Sequence, residues 1–237
     1  ISGGTLRNAI PREARATLLV PTASVSEFKA LVDRYAGIYQ SELAATEANL
    51  TVLLNGRDTP AKLMSESLQT RLLDALVACP NGVMRMSDAI PGVTETSTNL
   101  GVIKTPEGEV HVQCLIRSLI DSGRESVEQM TRSLFSLAGA SCEFTGAYPG
   151  WAPNVDSPVM ALVRSSYQTL FGEMPNVMVI HAGLECGLFK SAYPDWDMVS
   201  FGPTIRGAHA PGEKVHIPAV ERFWQLLVHV LEQIPAK

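Results

Sequence analysis

The chain has 237 residues, which is enough for one large domain or two ordinary ones. Hydrophobic residues make up 46% of it and charged residues 18%, a composition that indicates an apolar core and excludes a disordered chain. Nineteen basic and 24 acidic residues give a net charge of −5, and lysine and arginine do not cluster. We therefore expect neither a nucleic acid nor a membrane surface as a partner.

The sequence also carries information about the compartment. No apolar run reaches the roughly 20 residues that span a bilayer, and the first residues do not form a signal peptide. The four cysteines are scattered without a C-x-x-C pair, as is typical of buried thiols in a reducing compartment. These features predict a cytoplasmic protein. Because the chain begins Ile-Ser-Gly-Gly without an initiator methionine, we expect it to be part of a longer protein or a processed product.

The first 148 residues predict an α+β domain, with a mostly antiparallel sheet and helices on one face. Strands are predicted at residues 14–20 and 48–54, and a helix follows each of them. Apolar residues recur at helical spacing from Phe28 to Tyr39 and again after Ser65, whose hydroxyl suits a helix cap. The later predicted elements are strands at residues 83–86, 97–104 and 109–119, a helix from Val127 to Leu137, and a strand at 142–148.

A proline- and glycine-rich stretch, residues 148–154, predicts the boundary between two domains, 1–150 and 151–237. Beyond it, helices and strands alternate, which indicates an α/β segment with parallel pairing. The loops at the carboxyl ends of its two strands would then meet at one rim. The predicted elements are a helix at 158–170, a strand at 177–180, a short helix, a strand at 198–201 and a helix at 218–234.

His209 lies in the second of these rim loops, between Gly207 and Pro211. Small residues and a proline on both sides keep the imidazole accessible, which is how a loop presents a histidine to a metal. The alternative is a turn that happens to carry a histidine. Glu185, in the first rim loop, is either a further ligand or a carboxylate at a helix start.

The remaining polar residues leave similar alternatives open. Arg117 interrupts an apolar strand, and its guanidinium either extends to solvent or clamps an anionic group. No phosphate-binding loop, dinucleotide motif or serine-nucleophile motif occurs. The other residues considered are His181 and Asp197 as further ligands, Asp195 and Asp197 as turn residues, Glu213 as a capping or supporting carboxylate, His216 at the surface, His229 in a core and His111 on a strand face.

Three longer stretches carry a family pattern: Gly3-Gly4-x-x-Arg7-Asn8-Ala9-Ile10-Pro11-Arg12-Glu13-Ala14, His181-Ala-Gly-Leu-Glu-Cys-Gly-Leu188 and Asp197-Met-Val-Ser-Phe-Gly-Pro-Thr-Ile-Arg-Gly-Ala-His-Ala-Pro211. They resemble the aminoacyl-histidine dipeptidases of the di-zinc carboxypeptidase/aminoacylase superfamily. The resemblance implies a lid domain, residues 1–150, followed by the C-terminal α/β segment of a catalytic domain, residues 151–237. It also implies hydrolysis of Xaa-His dipeptides such as carnosine, and of other unblocked dipeptides, by zinc-activated water.

The resemblance assigns roles to four residues. His209 matches the last zinc-binding histidine, and Gly183 matches a position where the backbone approaches the substrate. Asn8 and Arg117 match lid residues that hold the substrate, and Arg117 would bind the substrate's free carboxylate. The resemblance further implies a homodimer formed through the lid and two zinc ions in the complete enzyme.

The other zinc ligands and the catalytic glutamate of the family are not matched in this sequence. We therefore expect an N-terminal catalytic half as a partner, and we expect the chain alone to be inactive and to bind zinc weakly at most. Two alternatives remain open: a non-catalytic lid and dimerisation module, and a related aminoacylase or tripeptidase. Arg117 favours a substrate with a free carboxylate.

Overall fold

The structure is a computed structural model that describes residues 1–60, 62–106, 108–152, 154, 156–179, 185–207 and 212–234. Within these ranges, the helices lie where the sequence predicts them, so the helical predictions are confirmed. None of these helices is both long enough and apolar enough to cross a membrane. They are a 3-10 helix at Thr22–Ser24, α1 (Val25–Glu42), α2 (Glu66–Ala78), α3 (Asp121–Leu137), α4 (Pro158–Phe171), α5 (Glu185–Ala192) and α6 (Ile217–Gln233).

Serine caps fix the starts of two helices. The Ser65 hydroxyl accepts a hydrogen bond from the Leu68 N–H at 3.3 Å, and the Ser157 hydroxyl accepts one from the Met160 N–H at 3.0 Å. Pro158 occupies the first turn of α4, where no helical partner exists for an N–H. Each cap satisfies a backbone donor that the first turn of a helix leaves unpaired.

An antiparallel sheet forms the centre of the first part, as predicted. Its long strand β4 pairs with β5 along one side and with β3 and β1 along the other, and β2 lies outside β1. A separate hairpin joins two short strands that precede α6. The strands are β1 (Ser2–Gly3), β2 (Ala14–Arg15), β3 (Gly82–Met86), β4 (Thr94–Lys104), β5 (His111–Ser118), β6 (Ile205–Arg206) and β7 (Lys214–Val215).

Two separate apolar cores hold these elements. In the first, Ala75, Cys79 and Phe135 of the α2 and α3 region pack against the β4 and β5 residues Leu100 and Cys114. In the second, α4 packs on α6 with extended residues 199–201 beside them. Its buried members are Val163, Leu226 and Val230.

Several predicted strands are not strands in the structure. β2 covers two residues of the predicted strand at 14–20, and residues 48–54, 142–148, 177–179 and 198–201 pair with no strand of the described ranges. Residue 180 lies outside those ranges. The described part of the α/β segment therefore contains an antiparallel hairpin and no parallel pair, contrary to the prediction. Side-chain alternation indicates that a segment is extended, but a strand also needs a neighbour for its N–H and C=O groups.

The predicted boundary is held by close backbone contacts. The Gly150 N–H donates to Asp121 Oδ1 at 3.1 Å, which ties the boundary to the start of α3. A Cβ added to Gly187 of α5 would lie 2.6 Å from the Pro149 carbonyl oxygen, so only glycine permits this approach.

Replacing Gly101 of β4 tests how closely residues 6–9 lie on the sheet. A Cβ at Gly101 would stand 2.6 Å from Arg7 Cα and 2.7 Å from the Arg7 carbonyl oxygen. We expect Gly101→Ala to lower the free energy of unfolding by about 1–3 kcal/mol in urea titrations. Gly37→Ala is the control, because Gly37 lies within α1 with nothing within 4 Å of an added Cβ. It should raise that free energy by up to about 1 kcal/mol, and equal effects of the two changes would contradict the contact.

Candidate functional site

The sheet face opposite the helices carries one of the predicted substrate-binding residues. Cys114 of β5 packs towards the helical core, so alternation directs Leu115 and Arg117 away from it. Leu100 of β4 also faces the core, and its neighbour Asn99 pairs across the strands with Leu115. Asn99, Leu115 and Arg117 therefore share the face of the sheet that α2 and α3 leave free.

Asn99 fixes the loop that contains Asn8 on this same face. Its side-chain Nδ2 donates to the carbonyl oxygens of Arg7 and Ala9, both at 2.9 Å. These bonds hold the residues on each side of Asn8. A turn within the loop adds a hydrogen bond from the Ala9 N–H to the Leu6 carbonyl at 3.2 Å.

Asn99 was missed in the sequence analysis. The available signal was an amide side chain within a strand of apolar and hydroxyl residues. Such a side chain in a partly buried strand usually forms hydrogen bonds with backbone groups that strand pairing leaves without a partner. The structure thus brings Asn8 and Arg117 onto one face, although they are distant in sequence.

Arg117 and Arg7 both border a cavity of about 530 Å³ beside β5. Arg117 is half-buried, and within the described residues its guanidinium forms no ion pair. Arg124, on the same cavity, is instead held by Glu128 and neighbouring carboxylates of α3. A guanidinium with available donors in a partly desolvated place suits bidentate contact with a carboxylate.

The predicted metal ligand His209 and the predicted substrate contact Gly183 lie outside the described residues. The strands on either side of the His209 loop are described: Ile205 pairs with Val215, and the His216 N–H donates to the Thr204 carbonyl at 2.9 Å. Within the ranges that the structure covers, no three His, Cys, Asp or Glu side chains converge to hold a metal ion. The described residues therefore do not make up a metal site.

Glu185 and Glu213 occupy positions at element ends. Glu185 is the first residue of α5, where a carboxylate interacts favourably with the helix dipole. This position corresponds to the helix-start alternative of the sequence analysis. Glu213 is exposed and directly precedes β7.

Asp197 anchors a helix in the structure. Its Oδ2 accepts from the Ser157 hydroxyl and from the Val159 N–H, both at 2.9 Å, at the first turn of α4. Partial burial opposes its ionisation, but these hydrogen bonds outweigh that effect and hold the pKa of the carboxyl below its ordinary value. Asp197 was considered as a further metal ligand or as a turn residue, and these hydrogen bonds support a structural role.

The other histidines and the cysteines have local roles. Exposed His111 begins β5, with Nε2 2.6 Å from Glu109, and half-buried His229 lies on α6. The four cysteines are free thiols. Cys79 and Cys114 lie with their sulfurs 4.0 Å apart, and the hydrogen bond to Cys79, together with burial, raises the pKa of the Cys114 thiol. Such a thiol is a poor nucleophile, as expected of a core residue.

Comparison with known proteins places this arrangement in a family. A family model for the peptidase family M20/M25/M40 matches residues 20–233. The chain belongs to this family. It is 54% identical over 237 residues to the cytosol non-specific dipeptidase of Escherichia coli (strain K12), covering all of this chain and 49% of that protein. The chain thus spans about half the length of this relative.

Two solved structures resemble this chain in fold. The aminoacylhistidine dipeptidase from Vibrio alginolyticus superposes with a TM-score of 0.91 at 52% identity, over 100% of this chain and 48% of that one. The aminopeptidase PepT from Bacillus cereus ATCC 10987 superposes with a TM-score of 0.54 at 17% identity, over 69% of this chain and 44% of that one. The second likeness concerns the fold alone. The mixed architecture of antiparallel sheet and helices is therefore that of a dipeptidase fragment of this peptidase family.

Asp197→Ala should remove the anchor of α4 and lower the free energy of unfolding by about 1 kcal/mol at pH 7. Because the folded-state pKa is depressed, this stabilisation is present above the unfolded pKa of about 4 and is lost as the pH falls through the folded value. Urea titrations from pH 7 to pH 3 should show the difference from wild type shrinking. Asp195→Ala is the control, since Asp195 makes no hydrogen bond or ion pair within the described ranges. A difference that is independent of pH would contradict the assignment.

Proposed function

We propose that this chain is part of a cytoplasmic dipeptidase that hydrolyses unblocked dipeptides, Xaa-His dipeptides such as carnosine among them. The observation that carries the proposal is the match along the whole chain to a non-specific dipeptidase at 54% identity. The likeness to an aminoacylhistidine dipeptidase, with a TM-score of 0.91, supports Xaa-His dipeptides as substrates. Both relatives are about twice as long, so the complete active site requires more chain than is present here.

We further propose that residues 1–150 are a lid, which also carries the contacts of a homodimer, and that 151–237 belong to the catalytic domain. The separate cores support this division, because the first draws on α2, α3 and the sheet and the second on α4 and α6. The boundary residues Pro149 and Gly150 lie between them, outside any helix or strand. In this division, the substrate-binding residues lie in the lid.

Arg117 is the proposed contact for the free carboxylate of the dipeptide. Its half-buried guanidinium forms no ion pair within the described residues, and alternation along β5 places it on the sheet face that α2 and α3 leave free. Asn8 lies on the same face, where its amide can hydrogen-bond the polar backbone of a peptide. Gly183 is proposed as a place of close backbone approach. These residues bind and orient the dipeptide.

The cofactor proposed for the complete enzyme is zinc, two ions of which would be bound with His209 as one ligand. Zinc supplies a Lewis acid and an activated water in peptidases. The residues that the structure describes hold no three-ligand group, so no chemical step is assigned to this chain through a metal. The remaining ligands and the catalytic base are proposed to come from the other half of the enzyme, and Glu185 and Glu213 to support the ligands from neighbouring positions.

Co-expression tests this division of labour. The 237-residue chain alone should show no zinc-dependent hydrolysis of carnosine or Ala-His. Together with the half of the E. coli relative that this chain does not cover, it should give measurable hydrolysis that a chelator abolishes and zinc restores. The other half expressed alone is the control. Hydrolysis by the isolated chain would contradict the proposal, and an inactive but stable pair would favour a non-catalytic lid module.

Arg117→Ala in the co-expressed enzyme should lower kcat/KM for dipeptides by about 10- to 100-fold, mainly through KM, since it removes a charge-assisted bidentate contact. The effect should be small for the same dipeptides with an amidated C-terminus, because these lack the carboxylate. The matched control is Arg34→Ala, an exposed arginine of α1 that lies over Tyr35. An equal loss of kcat/KM on free and amidated substrates would show that Arg117 does not bind the carboxylate. It would favour an aminoacylase-like or tripeptidase specificity.

A further inference from the structure

The outer edge of β5 is an open strand edge. β5 pairs with β4 along its inner side over residues 111–118, and within the described ranges no backbone hydrogen bond joins its other side to any segment. A row of unpaired N–H and C=O groups is a template for another strand. The edge also lies over the helical layer, because Cys114 packs against the α2 and α3 core.

Residues 142–148 run as a second unpaired segment near this edge. Its start is held on α3: Cys142 packs against the core, and the Arg132 guanidinium lies 4.8 Å from the centre of the Phe144 ring. The sequence predicts a strand here, yet the segment makes no strand pairing within the described residues. Its start therefore lies on the helices without a strand neighbour, and the backbone turns at Gly146, whose φ is 70°.

The cavity of about 530 Å³ separates the two segments. Residues 114–119 and 140–149 border it without a break, whereas one face of a strand would contribute only alternate residues. Both backbones therefore turn an edge towards the cavity. Leu72 of α2 and Phe135 of α3 form its apolar floor.

Chain order indicates what fits between the segments. β5, α3 and residues 142–148 follow one another as a strand, a helix and an unpaired segment. This is the chain order of a crossover unit, in which the two strands are parallel. In the split form of this unit, a further strand lies between the two and is antiparallel to both. Two strands that flank a third stand roughly 9–10 Å apart, which leaves a slot of this kind between them.

We propose that β5 and residues 142–148 form a slot for one β-strand contributed by the half of the dipeptidase that this chain does not cover. The strand lies antiparallel to both walls and turns alternate apolar side chains towards Leu72 and Phe135. This inference rests on the proposed function, since it states where the other half is joined. Pairing by strand addition gives affinity through the backbone and specificity through alternate side chains.

Within the described ranges no segment pairs with this edge of β5, so we assign the occupant to the other half. Residues 48–54, also unpaired, are tied elsewhere: the Gln40 side chain donates to the Leu50 carbonyl at 3.1 Å, and Arg12 pairs with Glu47 at 2.8 Å. The chain has the fold of the Vibrio dipeptidase over its whole length but covers 48% of that protein. The filling strand must then come from the remaining half or from a second copy of this chain.

Hydrogen–deuterium exchange tests the slot directly. The chain alone is compared with the chain co-expressed with the half of the E. coli relative that it does not cover. Amides of β5 and of residues 142–148 should exchange at least about tenfold more slowly in the pair. Amides of β4, which is already paired on both sides, are the internal control and should change less than about threefold.

Two neighbouring proline variants, Phe144→Pro and Thr145→Pro, probe the wall of the slot. Successive N–H groups of an extended chain point to opposite sides, so one variant removes a donor into the slot and the other a donor away from it. One of them should weaken association of the halves by about tenfold or more, and the other should have a much smaller effect. Neither position forms a backbone hydrogen bond within the described part of the chain. Because Phe144→Pro also removes the ring that contacts Arg132, Phe144→Ala, which keeps the N–H, is its control.

The outcomes separate this inference from the proposed function. An active pair in which β5 exchanges as in the chain alone would overturn the slot and leave the function standing. β5 protection in the chain alone, with a doubled mass, would identify a second copy as the occupant and overturn the proposal. Equal association of both proline variants and the wild type would also overturn it. Halves that neither associate nor hydrolyse dipeptides would overturn both.

Discussion

The alternation of side chains along β4 organises the first part of this molecule. Thr96 is buried and Leu100 packs against the helical core, while Asn99 holds the Asn8 loop from the other side. The backbone of the same strand sets the register of β5 and thereby the position of Arg117 opposite Ser97. A one-residue slip of β5 would turn Arg117 into the core and Cys114 out of it. Core packing and the arrangement of the substrate face are thus consequences of one register.

The helices were predictable because their signals are local. Apolar spacing of 3.6 residues and serine caps such as Ser65 and Ser157 depend on neighbours in the sequence. The strands were less predictable because pairing depends on a partner. The predictions at residues 48–54 and 142–148 rest on local apolar patterns, but no described strand pairs with either segment.

The candidate site shows the same limit. Arg117 was noticeable from the sequence as a charge in an apolar strand, and the family resemblance added Asn8. Their common face follows from the register of β4 with β5 and from the Asn99 hydrogen bonds, which no local pattern reveals. Asp197 had ambiguous local signals, and its bonds to the start of α4, 38 and 40 residues earlier, decide its role. His209 and Gly183 rest on the resemblance alone, since they lie outside the described residues.

The central proposal is that the rest of the dipeptidase adds a strand to the sheet of this chain. Isotope-edited infrared spectroscopy measures that claim most directly. With the chain labelled with ¹³C and the other half of the dipeptidase unlabelled, the shifted amide I band reports the backbone of this chain only. The account predicts that its β-sheet component grows when the halves assemble, as extended segments become strands. A labelled band that is identical in the isolated and the assembled chain would contradict it.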